Sequence, residues 1–116
     1  MLSEHEIYVK VKELLSTREK WTTGAFAKDL YGTPVGYTSE NACSFCLRGA
    51  LNKVCSRTVF SDEIPSLYET IKSKLGFEIS TYPIGLATFN DSRTYEEMIE
   101  VLDEAIEMTK EQQNVI

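Results

Sequence analysis

Ser39-Glu40-Asn41-Ala42-Cys43-Ser44-Phe45-Cys46-Leu47-Arg48-Gly49-Ala50-Leu51-Asn52-Lys53-Val54 is the stretch on which the reading of this chain turns. At about 100° per residue it places Ala42, Cys43, Cys46, Leu47, Ala50, Leu51 and Val54 on one wide arc, which predicts a helix over 39–55. An arc that wide is touched on more than one side, so the helix is expected at the centre of the fold. Ala42, Cys46, Gly49 and Ala50 form a strip of small side chains that admits a neighbouring backbone. A glycine inside a helix costs about 1 kcal/mol against alanine, so Gly49 implies a packing or site reason. Ser39 suits the N-cap, and Glu40 in the first turn suits the helix dipole.

Working outward, Ser3-x-x-Glu6 is a capping box that opens a helix with Ile7, Val11, Leu14 and Leu15 on one face. This helix is expected to end near Ser16 or Thr17. Residues 17–38 are punctuated by Gly24, Gly32, Pro34 and Gly36, which predicts a hairpin or ordered loop turning near Tyr31–Pro34. A short helix from Gly24 to Leu30 is the competing reading. Beyond the centre, Ile64, Leu67, Tyr68, Ile71 and Leu75 give a helix over about 63–75, with Pro65 in its first turn and Gly76 as its stop. Phe77, Ile79 and Tyr82 suggest one extended piece, and Ile84, Leu86 and Phe89 another. Thr94-x-x-Glu97 is a second capping box. It opens a last helix whose inward stripe is Tyr95, Met98, Ile99, Leu102, Ala105 and Ile106. The expected architecture is mainly α, with α+β as the neighbouring class. About four helices are expected, packed around the central helix 39–55 as one of them, with a small hairpin or irregular layer. Residues 1–116 form one domain, and 111–116 a frayed tail.

The totals bound the function. The chain has 116 residues, long enough for a core without staples, and no run of 18 apolar residues, so no membrane span is expected. The N-terminus has neither a basic region nor an apolar core, so no signal peptide is expected. Three cysteines within thirteen residues do not make a secreted disulfide framework, and a reducing, cytoplasmic setting is expected. The net charge is −6, all of it supplied by residues 91–116, which hold eight acidic and two basic side chains. No basic face is evident, so direct nucleic-acid binding is not expected.

Candidate chemistry is sparse. Cys43-x-x-Cys46 is the spacing of a redox or zinc pair, but no thioredoxin-like strand precedes it and His5 is the single histidine. These cysteines read as small core residues, and no metal or other cofactor is expected. Phosphate-cradling glycine loops, zinc-protease helices and calcium loops are absent. Asn90-Asp91-Ser92-Arg93-Thr94 stands at the start of the last helix. There it either makes the turn and cap or offers an anion site beside free amides. On the last helix Glu96, Glu100, Asp103, Glu104, Glu107 and Glu111 face outward, at a cost of about 0.2–0.5 kcal/mol per like-charged pair four residues apart. The bland reading is a solvated face. The sharper one is a docking surface for a basic partner, using Glu96, Glu100, Glu104 and Glu107 with Val101 and Met108 as apolar anchors.

One resemblance spans about residues 11–107. Trp21, Gly24-Ala25, Asp29-x-x-Gly32, Cys46-x-x-Gly49-Ala50-Leu51, Phe89-Asn90-Asp91, Thr94 and Leu102-Asp103-x-Ala105-Ile106 stand in order. The whole resembles a domain-of-unknown-function family of small bacterial and phage proteins. Phe45 and Phe89 stand where that family often has Trp, and Cys43 lies outside its pattern. The resemblance implies that Trp21, Cys46, Asn90 and Asp91 gather in space, and it carries no activity with it. The function expected is a non-enzymatic protein-interaction or accessory protein, with homo-oligomerisation left open. One alternative is a small-ligand-binding protein or enzyme with a site built from Trp21, Asp29, Cys46, Asn90 and Asp91. The other is an acidic mimic of nucleic acid, for which a last helix of about 25 Å is short.

Overall fold

Ser3 starts the first helix as its spacing predicts. Its hydroxyl accepts from the Glu6 amide at 3.1 Å, and the Glu6 carboxylate accepts from the Ser3 amide at 2.9 Å. This reciprocal cap serves two amides that have no partner inside the helix. The computed structural model describes residues 2–75 and 84–113. Over these residues the order is α1 (Glu4–Leu14), β1 (Ala27–Lys28), β2 (Pro34–Val35), β3 (Ser44–Phe45), α2 (Leu47–Cys55), α3 (Pro65–Leu75), α4 (Ile84–Ser92) and α5 (Tyr95–Met108). Short 3-10 turns lie at Arg18–Lys20, Ser61–Glu63 and Lys110–Gln113. The fold is therefore mainly α with a small antiparallel sheet, in the order β2-β1-β3. Ala27 pairs with Val35 on one side and Phe45 on the other.

The hairpin in 17–38 is the expected one, and the competing Gly24–Leu30 helix does not form: Ala27–Lys28 is strand. Its turn is closed by Asp29, whose Oδ1 accepts from the Tyr31 and Thr33 amides, both at 2.9 Å. Gly32 takes φ +81, a left-handed conformation that glycine adopts without penalty.

The central segment differs from expectation. Its helix begins at Leu47 with Cys46 as N-cap, and Ser44–Phe45 ahead of it is strand. The Ser39 hydroxyl accepts from the Asn41 amide at 3.1 Å, so it closes a local turn instead of capping a helix. The amides of Cys43 and Cys46 donate to the Lys28 and Phe26 carbonyls at 2.8 and 3.1 Å. These pairings to β1 and its flank outcompete helix over 39–46. Of the apolar arc Cys46, Leu47, Ala50 and Leu51 are buried, but Cys43, expected in the core, is exposed, because the first part alternates as a strand does: Phe45 is buried and Ser44 half-buried. The small strip has its reason at Gly49. A Cβ there would stand 2.8 Å from the Phe26 carbonyl carbon and closer still to its oxygen.

α2 packs on α1 and α4, while α5 packs on α1 and α3. Tyr8, Leu15, Leu47, Leu51, Ile64, Leu67, Ile71, Phe89, Met98 and Leu102 are fully buried. Each aliphatic or Phe side chain so buried contributes about 1.5–3 kcal/mol relative to exposure. α1 also caps α3. The Glu4 carboxylate accepts from the Ser66 amide at 2.7 Å, and the Tyr8 hydroxyl accepts from the Leu67 amide at 3.1 Å while donating to Glu4 at 2.5 Å. Burial pushes the Tyr8 phenol well above its ordinary value, with the Glu4 contact adding to it. Pro65, which has no amide hydrogen, is the first residue of α3.

Two expectations fall after α3. The Gly76 stop and the extended piece from Phe77 to Tyr82 lie outside the described residues. The second extended piece is instead α4, a fifth helix where about four were expected. Leu86, Phe89 and Asn90 are buried at helical spacing, while Ala87, Thr88 and Asp91 are exposed. The sequence hides this period because one of its inward residues is an asparagine. α5 starts at Thr94, whose hydroxyl and the Glu97 carboxylate form the predicted box. Among the described residues, no helix is long and apolar enough to cross a membrane.

Replacing Gly49 by Ala should destabilise the fold by about 3 kcal/mol, because backbone is in the way and no rotamer can relieve it. Urea unfolding of G49A at an unchanged m-value is the measurement, and a loss under about 0.5 kcal/mol would refute the close approach. The capping boxes set an acid limit. Hydrogen bonds from the backbone and hydroxyl of Ser3 and of Thr94 hold Glu6 and Glu97 below the usual carboxylate range. A carboxyl with a lowered folded-state pKa stabilises the fold above its unfolded value, about pH 4.3, and loses that contribution as pH falls through the folded value. Glu6→Gln with Glu97→Gln, which keeps the cap but not the charge, should therefore flatten the fall of Tm on acidification below that pH.

Candidate functional site

The last turn of α4 carries Asn90, an amide with no exposed surface. Its Oδ1 accepts from the Trp21 indole at 2.7 Å and from the Leu47 amide at 3.0 Å. Its Nδ2 donates to the Thr22 carbonyl at 3.0 Å and to Asp91 Oδ1 at 3.1 Å. Asp91 Oδ1 also accepts from the Gly24 amide at 3.1 Å, across from a backbone at φ +79. One asparagine thus ties the 21–24 loop to the first amide of α2, and Asp91 extends the tie to Gly24. Trp21, Cys46, Asn90 and Asp91 are brought to one place. Asn90 and Asp91 close α4 instead of standing at the start of the last helix, where the sequence reading put them. The amide of Glu97 is already taken by the Thr94 hydroxyl.

Beside this node is a cleft of about 330 Å³, lined by Gly24, Ala25, Phe26, Cys46, Arg48, Ala87 and Asp91. The 24–26 loop, the start of α2 and the exposed face of α4 form its sides. Ala87 and Asp91 share that face because they are one helical turn apart. The half-buried Arg48 holds its guanidinium 4.8 Å from the centre of the Phe26 ring. Phe26, Arg48 and Ala87 were not among the residues singled out from sequence. The signal that could have found Ala87 is its four-residue spacing from Asp91.

Cys46 is nearly buried, and its sulfur accepts from the Gly49 amide at 3.2 Å. Burial pushes its thiol up despite that amide, which favours the neutral thiol over the thiolate. Cys43 is exposed and donates to the Asn41 carbonyl at 3.3 Å, while Cys55 ends α2 half-buried. Among the described residues, no three His, Cys, Asp or Glu side chains converge to hold a metal ion.

Asp29 stands apart from this node. It closes the hairpin and lines a second hollow with Leu30, Tyr31, Glu40, Asn41 and Cys43. The hairpin tip presents Leu30 at 79% and Tyr31 at 89% exposure, two large apolar residues in a turn that hydropathy alone would assign to the core. On α5, Val101 has no exposed surface and is a core residue, not an outward anchor. It follows Met98 by three residues and precedes Ala105 by four, and this inward face is wider than the expected stripe. Met108 is 53% exposed, with Thr70 donating to its sulfur at 3.0 Å. Glu96, Glu100, Glu104 and Glu107 are exposed. Glu96 pairs with Arg18, and Asp103 with Lys12.

The model of a family of unknown function, DUF6197, matches residues 2–108. No curated protein matches the chain, and no solved structure does.

Asn90→Ala removes all four hydrogen bonds and leaves the Trp21 indole and Leu47 amide without this partner. It should cost about 3 kcal/mol, at about 1–3 kcal/mol per orphaned buried group. It should also loosen Trp21, read as a red-shifted fluorescence maximum in the folded protein. Cys46→Ser should keep the cap and stay within about 0.5 kcal/mol of wild type, whereas Cys46→Ala should lose about 1 kcal/mol.

Proposed function

The chain belongs to DUF6197, a family of unknown function, and we propose that it is a non-enzymatic interaction protein that grips a protein partner with the tip of its β1–β2 hairpin. The observation that carries this reading is the pair Leu30 and Tyr31, exposed at 79% and 89% on a turn held by Asp29. Further bonds brace the turn, from the Gly32 amide to the Asp29 carbonyl at 3.0 Å and from the Asp29 amide to the Thr33 carbonyl at 2.9 Å. A turn already fixed loses little entropy on docking, and an exposed Tyr is a common binding anchor. Asp29 and Glu40 flank the adjoining hollow. The partner this suits has an apolar socket with a basic rim. Binding is favoured over catalysis because the one nearly buried thiol beside the cleft is kept neutral and engaged as a helix cap. Three free thiols suit a reducing compartment, so cytoplasmic residence, as an accessory protein of bacteria or phage, belongs to the same reading.

A second reading is favoured by one observation: Met108 is exposed among Glu104, Glu107 and Glu111 at the end of α5, a surface for a basic partner. Crosslinking and capture from source cells at low salt separates the two. Leu30→Ser with Tyr31→Ser should lower capture of a specific partner at least about tenfold, as loss of an interface anchor does. Glu100→Gln, Glu104→Gln and Glu107→Gln together should leave it within about threefold. The reverse pattern would transfer the function to α5. Capture unchanged by either set, or no capture by wild type, would sink both.

A further inference from the structure

The two methionines among the described residues stand in opposite environments. Met98 has no exposed surface, whereas Met108 is 53% exposed at the end of α5. We propose that Met108 is a site of reversible oxidation by a peroxide, independent of the hairpin tip, and that Thr70 of α3 decides the handedness of the product. The Thr70 hydroxyl oxygen stands 3.0 Å from the Met108 sulfur and 2.8 Å from the Ser66 carbonyl. Thr70 is itself only 3% exposed, so the side of the sulfur that faces α3 is closed.

A thioether sulfur carries two lone pairs, and adding oxygen to one or the other gives opposite sulfoxide epimers. In the reaction the sulfur lone pair bonds to one oxygen of hydrogen peroxide and the O–O bond breaks. The proton on the transferred oxygen passes to the departing one, which leaves as water. Sulfur is oxidised by two electrons and the peroxide is reduced. With Thr70 against one lone pair, the incoming peroxide is left the other, so one epimer forms in excess. A thiol-dependent reductase selective for that epimer reverses the mark, two thiols becoming a disulfide while the oxygen leaves as water. The oxidant that suits the position is uncharged, since Glu104, Glu107 and Glu111 beside Met108 repel an anion and not a neutral peroxide. The product puts a polar sulfoxide where the helix end had an apolar side chain. Because its oxygen points away from Thr70, the packing of α3 on α5 is kept.

The test exposes the folded full chain to millimolar hydrogen peroxide and follows each methionine by peptide mass mapping. Met108 should be oxidised at least about tenfold faster than Met98. The Met108 peptide is then divided between S-selective and R-selective methionine sulfoxide reductases, and one should reduce at least about fourfold more of it than the other. Protein oxidised in denaturing urea should give both epimers in near-equal amounts. Thr70→Ala, which opens the covered side, should bring the folded protein close to that ratio, while Thr70→Ser, which keeps the hydroxyl, should retain the excess. Slow oxidation of Met98 shows that each variant has folded. Met108 no faster than Met98, equal epimers from the folded wild type, an excess that survives Thr70→Ala, or one that vanishes in folded Thr70→Ser would overturn the proposal.

Discussion

A single buried amide holds three parts of this fold in register. Asn90 accepts from the Trp21 indole and the Leu47 amide and donates to Thr22 and Asp91. Buried polar groups are costly when unsatisfied and specific when satisfied, and here both donors and two acceptor directions are used. The connection continues outward. Trp21 tilts against Tyr95 with ring centres 6.0 Å apart, and the Tyr95 hydroxyl donates to the Leu15 carbonyl at 2.6 Å. One line of contacts therefore runs from α4 through the loop to α5 and the end of α1. The cleft exists because that line fixes the 21–26 loop at a set distance from α2.

The helices of the centre are short, nine residues each in α2 and α4, and helices of that length are marginal by themselves. Their ends are finished by other elements. Asn90 of α4 serves the first amide of α2, and Glu4 and Tyr8 of α1 serve α3. The close approach of the Phe26 backbone to Gly49 belongs to the same economy of space. A side chain at that position would separate the loop from the helix and open the cleft wall.

The acidic helix is better integrated than its own sequence suggests. Lys12 pairs with Asp103, and Arg18 pairs with Glu96 while lying over the Tyr95 ring at 5.3 Å. Exposed pairs of this kind contribute about 0–1 kcal/mol each, comparable to the like-charge repulsion along the helix. The cations come from α1 and the turn that follows it, so inspection of α5 alone shows only the repulsion.

Features set by near neighbours in the chain could be read from it directly. Both capping boxes, at Ser3 and Thr94, formed as read, because a cap joins residues three apart. The hairpin was legible as well, though its turn closes over Asp29–Thr33 and not at Tyr31–Pro34, and so were the amphipathic runs of α1, α3 and α5, whose apolar spacing is written in the chain. The need for glycine at position 49 was legible too, though not the partner that imposes it. The tertiary structure alone decided that residues 43–46 pair with β1 and its flank instead of lengthening α2, that Val101 turns inward, and that 84–92 coils with an asparagine on its buried side. Each of these outcomes depends on a group from a distant part of the chain: the Phe26 and Lys28 carbonyls, the packing of α5 between α1 and α3, and the Trp21 indole. Local periodicity carries no record of such partners, and the free energy of satisfying a buried polar group exceeds the propensity differences that a sequence reading weighs.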